Sequence, residues 1–382
     1  MVFCECVSDL NEYNIRNWTE VVLGSRKVEN NTCSSFTISR DTFENFEEIK
    51  LLFIVNQVNN IYDSSFRTIG QTLKYLIFYG NNLKTIKTGT FSGFRQLNRL
   101  GLVNNNIETL EEYAFRDSLI ENLDLSNNKI RAIESPTFHN CEIIQITIQN
   151  NNLSFIISNA FNEHLEVLHL DYNNIETIEN GFVGNSPKLK EFTISHNKLT
   201  HISDISSLEK VKKLDFSFND INFINNAQFE ELKDLIYLDL SNNKLEQLSL
   251  KSFKKVKTER MTLLLSYNLL TNLKITDIKP ITVTLFGNPW NCDCLTKLEK
   301  EIIQHNFTRT KCDVELFKNG NIPICLDQGE CQTKPVENRS DLQRFLEVIN
   351  RSKKHLPCDL FHEVGGKNVV SVRSKEENGA LP

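Results

Sequence analysis

Asparagine returns along this chain at intervals of 20 to 25 residues: Asn56, Asn81, Asn105, Asn128, Asn151, Asn173, Asn197, Asn219, Asn243, Asn268 and Asn288. Around most of them the pattern is Leu-x-x-Leu-x-Leu-x-x-Asn-x-Leu. One copy is Leu97, Leu100, Leu102, Asn105, Ile107, Leu110 and Phe115; another is Leu235, Leu238, Leu240, Asn243, Leu245, Leu248 and Phe253. A degenerate further copy (Cys33, Phe36, Ile38, Asp41, Phe43) begins the series. A unit this short cannot bury its own apolar face, so successive copies must stack into a solenoid that shares one elongated core. The repeat therefore overrides the two or three compact domains that 382 residues would otherwise suggest.

Each position has a physical task. The alternating Leu-x-Leu predicts a short strand that buries both leucines and turns the residues beside them to solvent. The Asn side chain, with two donors and an acceptor, can satisfy backbone groups at the turn that no helix or hairpin would pair. The Phe ten residues after most ladder asparagines fills the opposite, convex side and accounts for much of the Phe content of 25. The expected architecture is an α/β solenoid, a horseshoe with a parallel concave sheet of about 11–12 repeats. Eleven strands spaced by about 4.8 Å make a concave surface of about 50 Å, wide enough for a folded protein. Two coils depart from the pattern. Residues 189–208 lack the distal Phe and use Ile202, Ile205 and Leu208, and the coil of Leu263, Leu265 and Asn268 has Arg260 where its first leucine belongs.

Composition narrows the function. A net charge of −6 gives no basic face for nucleic acid. No run approaches the roughly 18–20 apolar residues of a membrane span, and the start (Met1-Val2-Phe3-Cys4) has no apolar leader core. The ten cysteines gather at the ends: Cys4, Cys6 and Cys33, then Cys141 alone, then Cys292, Cys294, Cys312, Cys325, Cys331 and Cys358. Asn-x-Ser/Thr sequons stand at Asn17, Asn30, Asn152, Asn306, Asn338 and Asn350, four of them outside the repeats. Both features suit an oxidising, extracellular compartment and a secreted chain. The domain reading is an N-terminal cysteine cap over 1–33, repeats over 34–288, a cysteine-rich helical cap over 289–358 and a polar tail over 359–382. Apolar spacing predicts cap helices over 295–305 and 341–352. Cys-x-Cys with further cysteines could hold zinc, but the sequons and the preceding Asn288-Pro289-Trp290 favour disulfides. Cys141 reads as an unpaired buried thiol, and because three cysteines at the N-terminal end leave one without a local partner, one of that trio or Cys358 is also a candidate for a link to a second chain.

The segment Asn288-Pro289-Trp290-Asn291-Cys292-Asp293-Cys294 resembles the opening of the C-terminal cap of extracellular leucine-rich-repeat proteins, a group that includes Toll-type ectodomains and Slit-like proteins. In such caps the two close cysteines bond to two later ones. The run Cys312-Asp313, Cys325, Cys331, then Leu342-Gln343-Arg344-Phe345-Leu346, then Cys358 is similar to the cap of insect immune leucine-rich-repeat proteins of the LRIM type. Those proteins circulate as disulfide-linked dimers and present complement-like thioester proteins. The resemblance implies an innate immune role, a complement-like protein or a second leucine-rich-repeat chain as partner, and Cys358 as the interchain link. In that family the cysteines at the Cys325 and Cys331 positions are usually adjacent and a long coiled coil follows, whereas residues 365–382 here are polar and without heptads.

The residues flanking the buried leucines are the candidate binding surface. Its N-terminal third reads as apolar (Leu52, Ile54, Val55, Tyr75, Ile77, Tyr79, Val103). The middle carries His169, Asp171, Tyr172, His196, Lys213 and Phe218, and Tyr237 and Tyr267 follow. Aromatic residues supply much of the energy of protein interfaces. Asp124, Asp215 and Asp239 share one position of the repeat and read as part of its pattern. His169, Asp171 and His196 on adjacent coils invite an acid–base reading, but an open sheet gives no enclosure, and neither a phosphate loop nor a nucleophile elbow occurs. The expectation is a secreted protein-binding protein, with neither catalysis, cofactor nor metal. The alternative is the ectodomain of a receptor or adhesion protein with its anchor missing, and a third reading is an intracellular repeat scaffold.

Overall fold

A computed structural model of the chain describes residues 2–4, 19–24, 36–183, 188–259, 261–275, 278–310, 313–314, 325–326, 330–331 and 339–353. One strand per coil lines up into a single fourteen-stranded parallel sheet. In chain order its strands are β1 (Val2–Cys4), β2 (Glu20–Leu23), β3 (Leu51–Val55), β4 (Tyr75–Tyr79), β5 (Leu97–Gly101), β6 (Leu119–Asp124) and β7 (Glu142–Thr147). They continue through β8 (Val167–His169), β9 (Glu191–Thr193), β10 (Lys213–Asp215), β11 (Tyr237–Asp239), β12 (Met261–Leu264), β13 (Ile281–Thr284) and β14 (Thr308–Arg309). Each pairs only with its sequence neighbours in the sheet, so the solenoid never crosses over itself.

The ladder asparagines tie coil to coil. Asn128 accepts the Ile107 amide at 3.1 Å on Oδ1, and its Nδ2 donates to the Leu102 and Leu125 carbonyls at 2.7 and 2.9 Å. Asn219 does the same for the Leu199 amide and the Ile194 and Phe216 carbonyls. On the convex side the rings of Phe43, Phe66, Phe91, Phe115, Phe138 and Phe161 form a continuous stack with centroids 5.6 to 6.0 Å apart. The stack does not run through residues 189–208, where Ile202, Ile205 and Leu208 fill the space, and it resumes at Phe229 and Phe253.

Two expectations are corrected at the N-terminal end. Gln57 is the buried ladder residue of its coil, whereas Asn56 is exposed with φ of 55°. Leu52 and Ile54 are consequently core residues, and Leu51, Phe53 and Val55 face outward, because a slip of one residue exchanges the faces of a strand. The coil before it takes its strand from Val21 and Leu23, which pair with Leu52 and Ile54. Phe36–Ile38 lies past the strand, in a lateral ladder with Val58–Ile61. Neither Val21 nor Leu23 is followed by a ladder asparagine, so this coil lacks the repeat's most regular mark.

At the other end Trp290 is wholly buried and donates from Nε1 to the Leu285 carbonyl at 2.8 Å. Helix α1 (Cys292–Gln304) starts where the Asn291 side chain accepts the Cys294 amide at 3.0 Å. Disulfides join Cys292 to Cys325 and Cys294 to Cys331. Buried Asp313 closes the last coil: its Oδ1 accepts the Leu285 and Phe286 amides at 2.8 Å, and Arg309 Nε donates to its Oδ2 at 2.6 Å. Helix α2 (Arg339–Lys353) buries Phe345 and Ile349. Cys6, Cys33, Cys312 and Cys358 lie outside the described residues, and only the backbone of Cys4 is described.

Candidate functional site

The outward-facing positions of the concave sheet fall into two zones. Toward the N-terminus, β3 presents Leu51, Phe53 and Val55, half-buried, and β4 presents Tyr75, Ile77 and Tyr79 beside them. Tyr75 and Tyr79 are more than two-fifths exposed. Gly101 in β5 leaves room for Ile77 to lean across, since a Cβ there would sit 2.9 Å from its Cδ1. The result is one apolar shelf spanning two strands. It ends at the ion pair of Arg99 and Asp124, 2.9 Å apart.

The middle zone is polar and its side chains are committed to one another. Glu191 accepts from His169 Nε2 at 3.3 Å and from Lys213 Nζ at 2.8 Å. The His169 hydrogen bond, then Lys213, hold its carboxyl down to about 2 against the opposing effect of burial. Asp171 is buried, not an open contact residue: it accepts from Gln149 Nε2 and Thr193 Oγ1 on one oxygen and from the Ser195 amide and hydroxyl on the other. Asp215 and Asp239 are directly opposed in neighbouring strands. Each receives a serine amide two residues on, from Ser217 and Ser241, and Tyr237 donates its hydroxyl to Asp239 at 3.2 Å. Burial first, then the charge of Asp239, pushes Asp215 up to about 7, and burial likewise raises Asp239. Thus His169, Asp171 and His196 do not converge. His169 serves Glu191, Asp171 serves Thr193 and Ser195, and His196 stacks between two rings.

That stack is what sequence reasoning missed. The chain leaves each of β3 to β13 through a residue of positive φ just before the ladder position: Asn56, Gly80, Asn104, Asn127, Asn150, Tyr172, His196, Phe218, Asn242, Tyr267 and Gly287, with φ from 53° to 76°. Seven of these are Asn or Gly, which tolerate that region. The other four are aromatic, and a bulky residue there costs about 1–2 kcal/mol. Tyr172, His196 and Phe218 stand face to face on consecutive coils, with centroids 4.1 Å apart at both steps and interplanar angles of 10° and 11°. Tyr172 and Phe218 are exposed, while partial burial lowers the His196 pKa. Tyr267 lies against Gly287, where an added Cβ would come within 2.6 Å of its ring. An open groove of ≈ 700 Å³ separates this rim from Leu346 and Ile349 of α2. The signal was present as Tyr172-Asn173, His196-Asn197, Phe218-Asn219 and Tyr267-Asn268, where other coils read Asn-Asn, Gly-Asn or, at 56–57, Asn-Gln.

Among the sequons, Asn152 on the flank and Asn306 after α1 are exposed. Asn17, Asn30 and Asn338 lie outside the described residues, and of Asn350 only the backbone, within α2, is described. Cys141 is buried at the convex edge, donates to the Phe138 carbonyl at 3.2 Å, and has its thiol pushed up to about 12 by burial. No helix among the described residues is long and apolar enough to cross a membrane.

Three repeat families match the chain: a BspA type leucine rich repeat region of six copies over 26–129, a leucine rich repeat over 163–221, and another over 119–141 and 234–256. No curated protein sequence matches it. Among solved structures, the leucine-rich repeat domain of APL1B is similar at 18% identity and a TM-score of 0.54, covering 85% of this chain and 92% of that one. A chain of the Toll–Spatzle complex, from Drosophila, is similar at 17% identity and 0.59, covering 85% and 49%. A chain of the TLR13–ssRNA13 complex follows at 18% and 0.51, covering 81% and 52%. The chain thus spans about half the length of the Toll-complex and TLR13-complex chains. At these identities the likeness is one of fold.

Proposed function

Because the chain is a leucine-rich-repeat protein that resembles those of the LRIM type, we propose that it is a secreted recognition protein of innate immune character that binds other proteins across its concave sheet. One observation carries this reading: the outward faces of consecutive parallel strands lie open and bear exposed rings at Tyr75 and Tyr79, with Tyr172 and Phe218 on the rim. A continuous, rigid, aromatic-bearing surface is what a protein interface requires. Both described disulfides and the exposed Asn152 and Asn306 fit an extracellular setting. A sheet open along its length gives no chamber that would exclude water from a reaction, so the reading is binding and not catalysis. The partners are protein ligands, of which a complement-like protein or a second leucine-rich-repeat chain joined through Cys358 is the form the resemblance supports.

The test is to express the chain behind a secretion leader and compare its mass from the medium on non-reducing and reducing gels, with peptide mapping of disulfides and glycans. Glycosylated, disulfide-bonded protein in the medium is expected, with a doubled mass that halves on reduction. Retention in the cell with reduced cysteines and empty sequons would overturn secretion. A monomer in the medium would remove the Cys358 link and leave a single-chain binder.

A further inference from the structure

The two sides of the solenoid are not alike. On the side where the chain leaves the sheet, the residues after the ladder positions form a column that includes Asn152, Lys198, Asp220 and Lys244, each bonded through its amide to the coil before. Helix α2 stands beside this column, across the groove that Lys198, Asp220 and Lys244 line together with Leu346 and Ile349, and Asn152 is an exposed sequon. Along β6 to β11 the side where the chain enters the sheet carries neither a docked helix nor a sequon among the described residues.

The register of the sheet lines up two columns on this entry side. Glu121, Ile144, Glu166, Lys190, Lys212 and Ile236 occupy one; Leu119, Glu142, His164, Lys188, Lys210 and Asp234, two residues earlier, occupy the other. The sign of the charge reverses at the step from β8 to β9. The coils of β6 to β8 add Asp117 and Glu163 to their three carboxylates, against Arg116, whereas those of β9 and β10 present four lysines against Glu209. Glu166 and Lys190 pair across the reversal at 2.6 Å. Lys188, Lys210 and Lys212 are exposed and form no ion pair among the described residues. Apolar side chains lie among these charges: Leu119, Ile144 and Ile236 are each more than two-fifths exposed. In the acidic half an open recess of ≈ 750 Å³ is bounded by Asp117, Leu119, Glu142 and Glu163.

A surface acidic on one half and basic on the other is complementary to itself under a two-fold axis, which is the condition for an isologous dimer. We propose that this side of the solenoid is a homotypic interface, against which a second copy of the chain lies in antiparallel order about a two-fold axis at the step from β8 to β9. Glu142 then faces Lys210 of the second copy, Glu163 and Glu166 face its Lys188 and Lys190, and Ile144 lies on the methylene stem of its Lys212. The recess of the acidic half gives the lysines of the second copy a concavity to enter. Opposite charges facing across the contact fix its register. The coils of β6 to β11 span about 24 Å of sheet, so the contact is at the small end of specific interfaces and the dimer is reversible. It leaves the concave face open and needs no disulfide, so it goes beyond the reading of that face and is independent of the Cys358 link.

The test is sedimentation velocity of the secreted full chain carrying Cys358→Ser, with a non-reducing gel to exclude a covalent dimer. A monomer–dimer equilibrium is expected over a concentration series. It should loosen as salt rises from about 0.1 to 1 M and the screening length falls from about 10 to 3 Å. Glu142→Lys with Glu163→Lys should weaken the dimer about tenfold or more, and so should Lys188→Glu with Lys210→Glu. All four side chains are exposed, so both chains fold. An equimolar mixture of the two charge-reversed chains should dimerise again, because each new lysine then faces a new glutamate. Lys129→Glu with Lys198→Glu, an equal charge change on the exit side, should leave self-association unchanged. A monomer at every concentration, a dimer indifferent to the entry-side pairs, an equal loss from the exit-side pair, or a mixture that stays monomeric would overturn the proposal. Partner capture by the concave face is scored separately. A monomer that still captures a partner there removes the homotypic contact and leaves the concave binding surface standing.

Discussion

At the scale of single residues, the energetics of this protein lie in a few buried polar groups. Asn219 satisfies one amide and three carbonyls of its own and the preceding coil. Asn219→Ala should therefore lower stability by roughly 2–5 kcal/mol, since each orphaned buried group costs about 1–3 kcal/mol. Asn56→Gly should be nearly neutral, because that position is exposed and left-handed; denaturant midpoints of the two variants check this. The pair also marks where the sequence misleads. Asn56 and Gln57 are adjacent amides, and the Asn-x-Val spacing to Val58 imitates the motif. Only burial of Gln57 shows which side chain the turn takes in. Asp215 supplies a pH signature. Burial first, then the facing charge of Asp239, holds its carboxyl up to about 7 in the fold, well above the usual carboxylate range, so the folded state prefers its protonated form. Stability from this group is present below the unfolded value and declines as pH rises toward 7. Compared with Asp215→Asn, the unsubstituted chain should lose thermal stability between pH 5 and pH 8. Glu191 is held far below this window and His196 is common to both proteins, while Asp239, raised together with the Asp215 it faces, makes the comparison a reading of the pair. A gap in Tm that does not change with pH would contradict the placement of Asp215. Cys141 should resist alkylation by iodoacetamide until the chain unfolds, as a buried thiol held near 12 is neither ionised nor reachable.

At the scale of elements, the coil is the unit, and the convex phenylalanines set how well coils stack. Phe115 is wholly buried between the rings of Phe91 and Phe138. Phe115→Ala should cost about 3–5 kcal/mol by leaving a cavity that stiff neighbouring coils cannot close, read from chemical denaturation. Most coils were legible because Leu-x-Leu, ladder Asn and distal Phe recur together, and a solenoid needs little more than that agreement. The coil of Val21 and Leu23 was not, since it keeps the two strand residues and drops the asparagine. Asp313 was also illegible: its role as the last ladder acceptor depends on how the cap folds back on Leu285 and Phe286, and no local pattern records it. The aromatic rim belongs to the same class. Sequence shows four aromatics before ladder asparagines, but that three of them stack follows from the pitch of consecutive coils.

At the scale of the whole molecule, a rigid parallel sheet, capped at its C-terminal end by two disulfides, carries an open face divided into an apolar shelf and a polar zone of mutually bonded side chains with an aromatic rim. A solenoid transmits little along its length, so the two zones can bind different parts of one partner. The most direct test of the concave face as binding surface is a pair of glycan wedges. Gln145→Asn turns Gln145-Ile146-Thr147, in the middle of the concave sheet, into a sequon, and Asp204→Asn does the same for Asp204-Ile205-Ser206, where Asp204 is exposed on the convex side. Both are secreted from the same cells as the unsubstituted chain, and retention of extracellular protein partners is compared by affinity capture. The account predicts that the concave wedge abolishes capture and the convex wedge leaves it intact. Capture that survives the concave glycan and is lost with the convex one would contradict it.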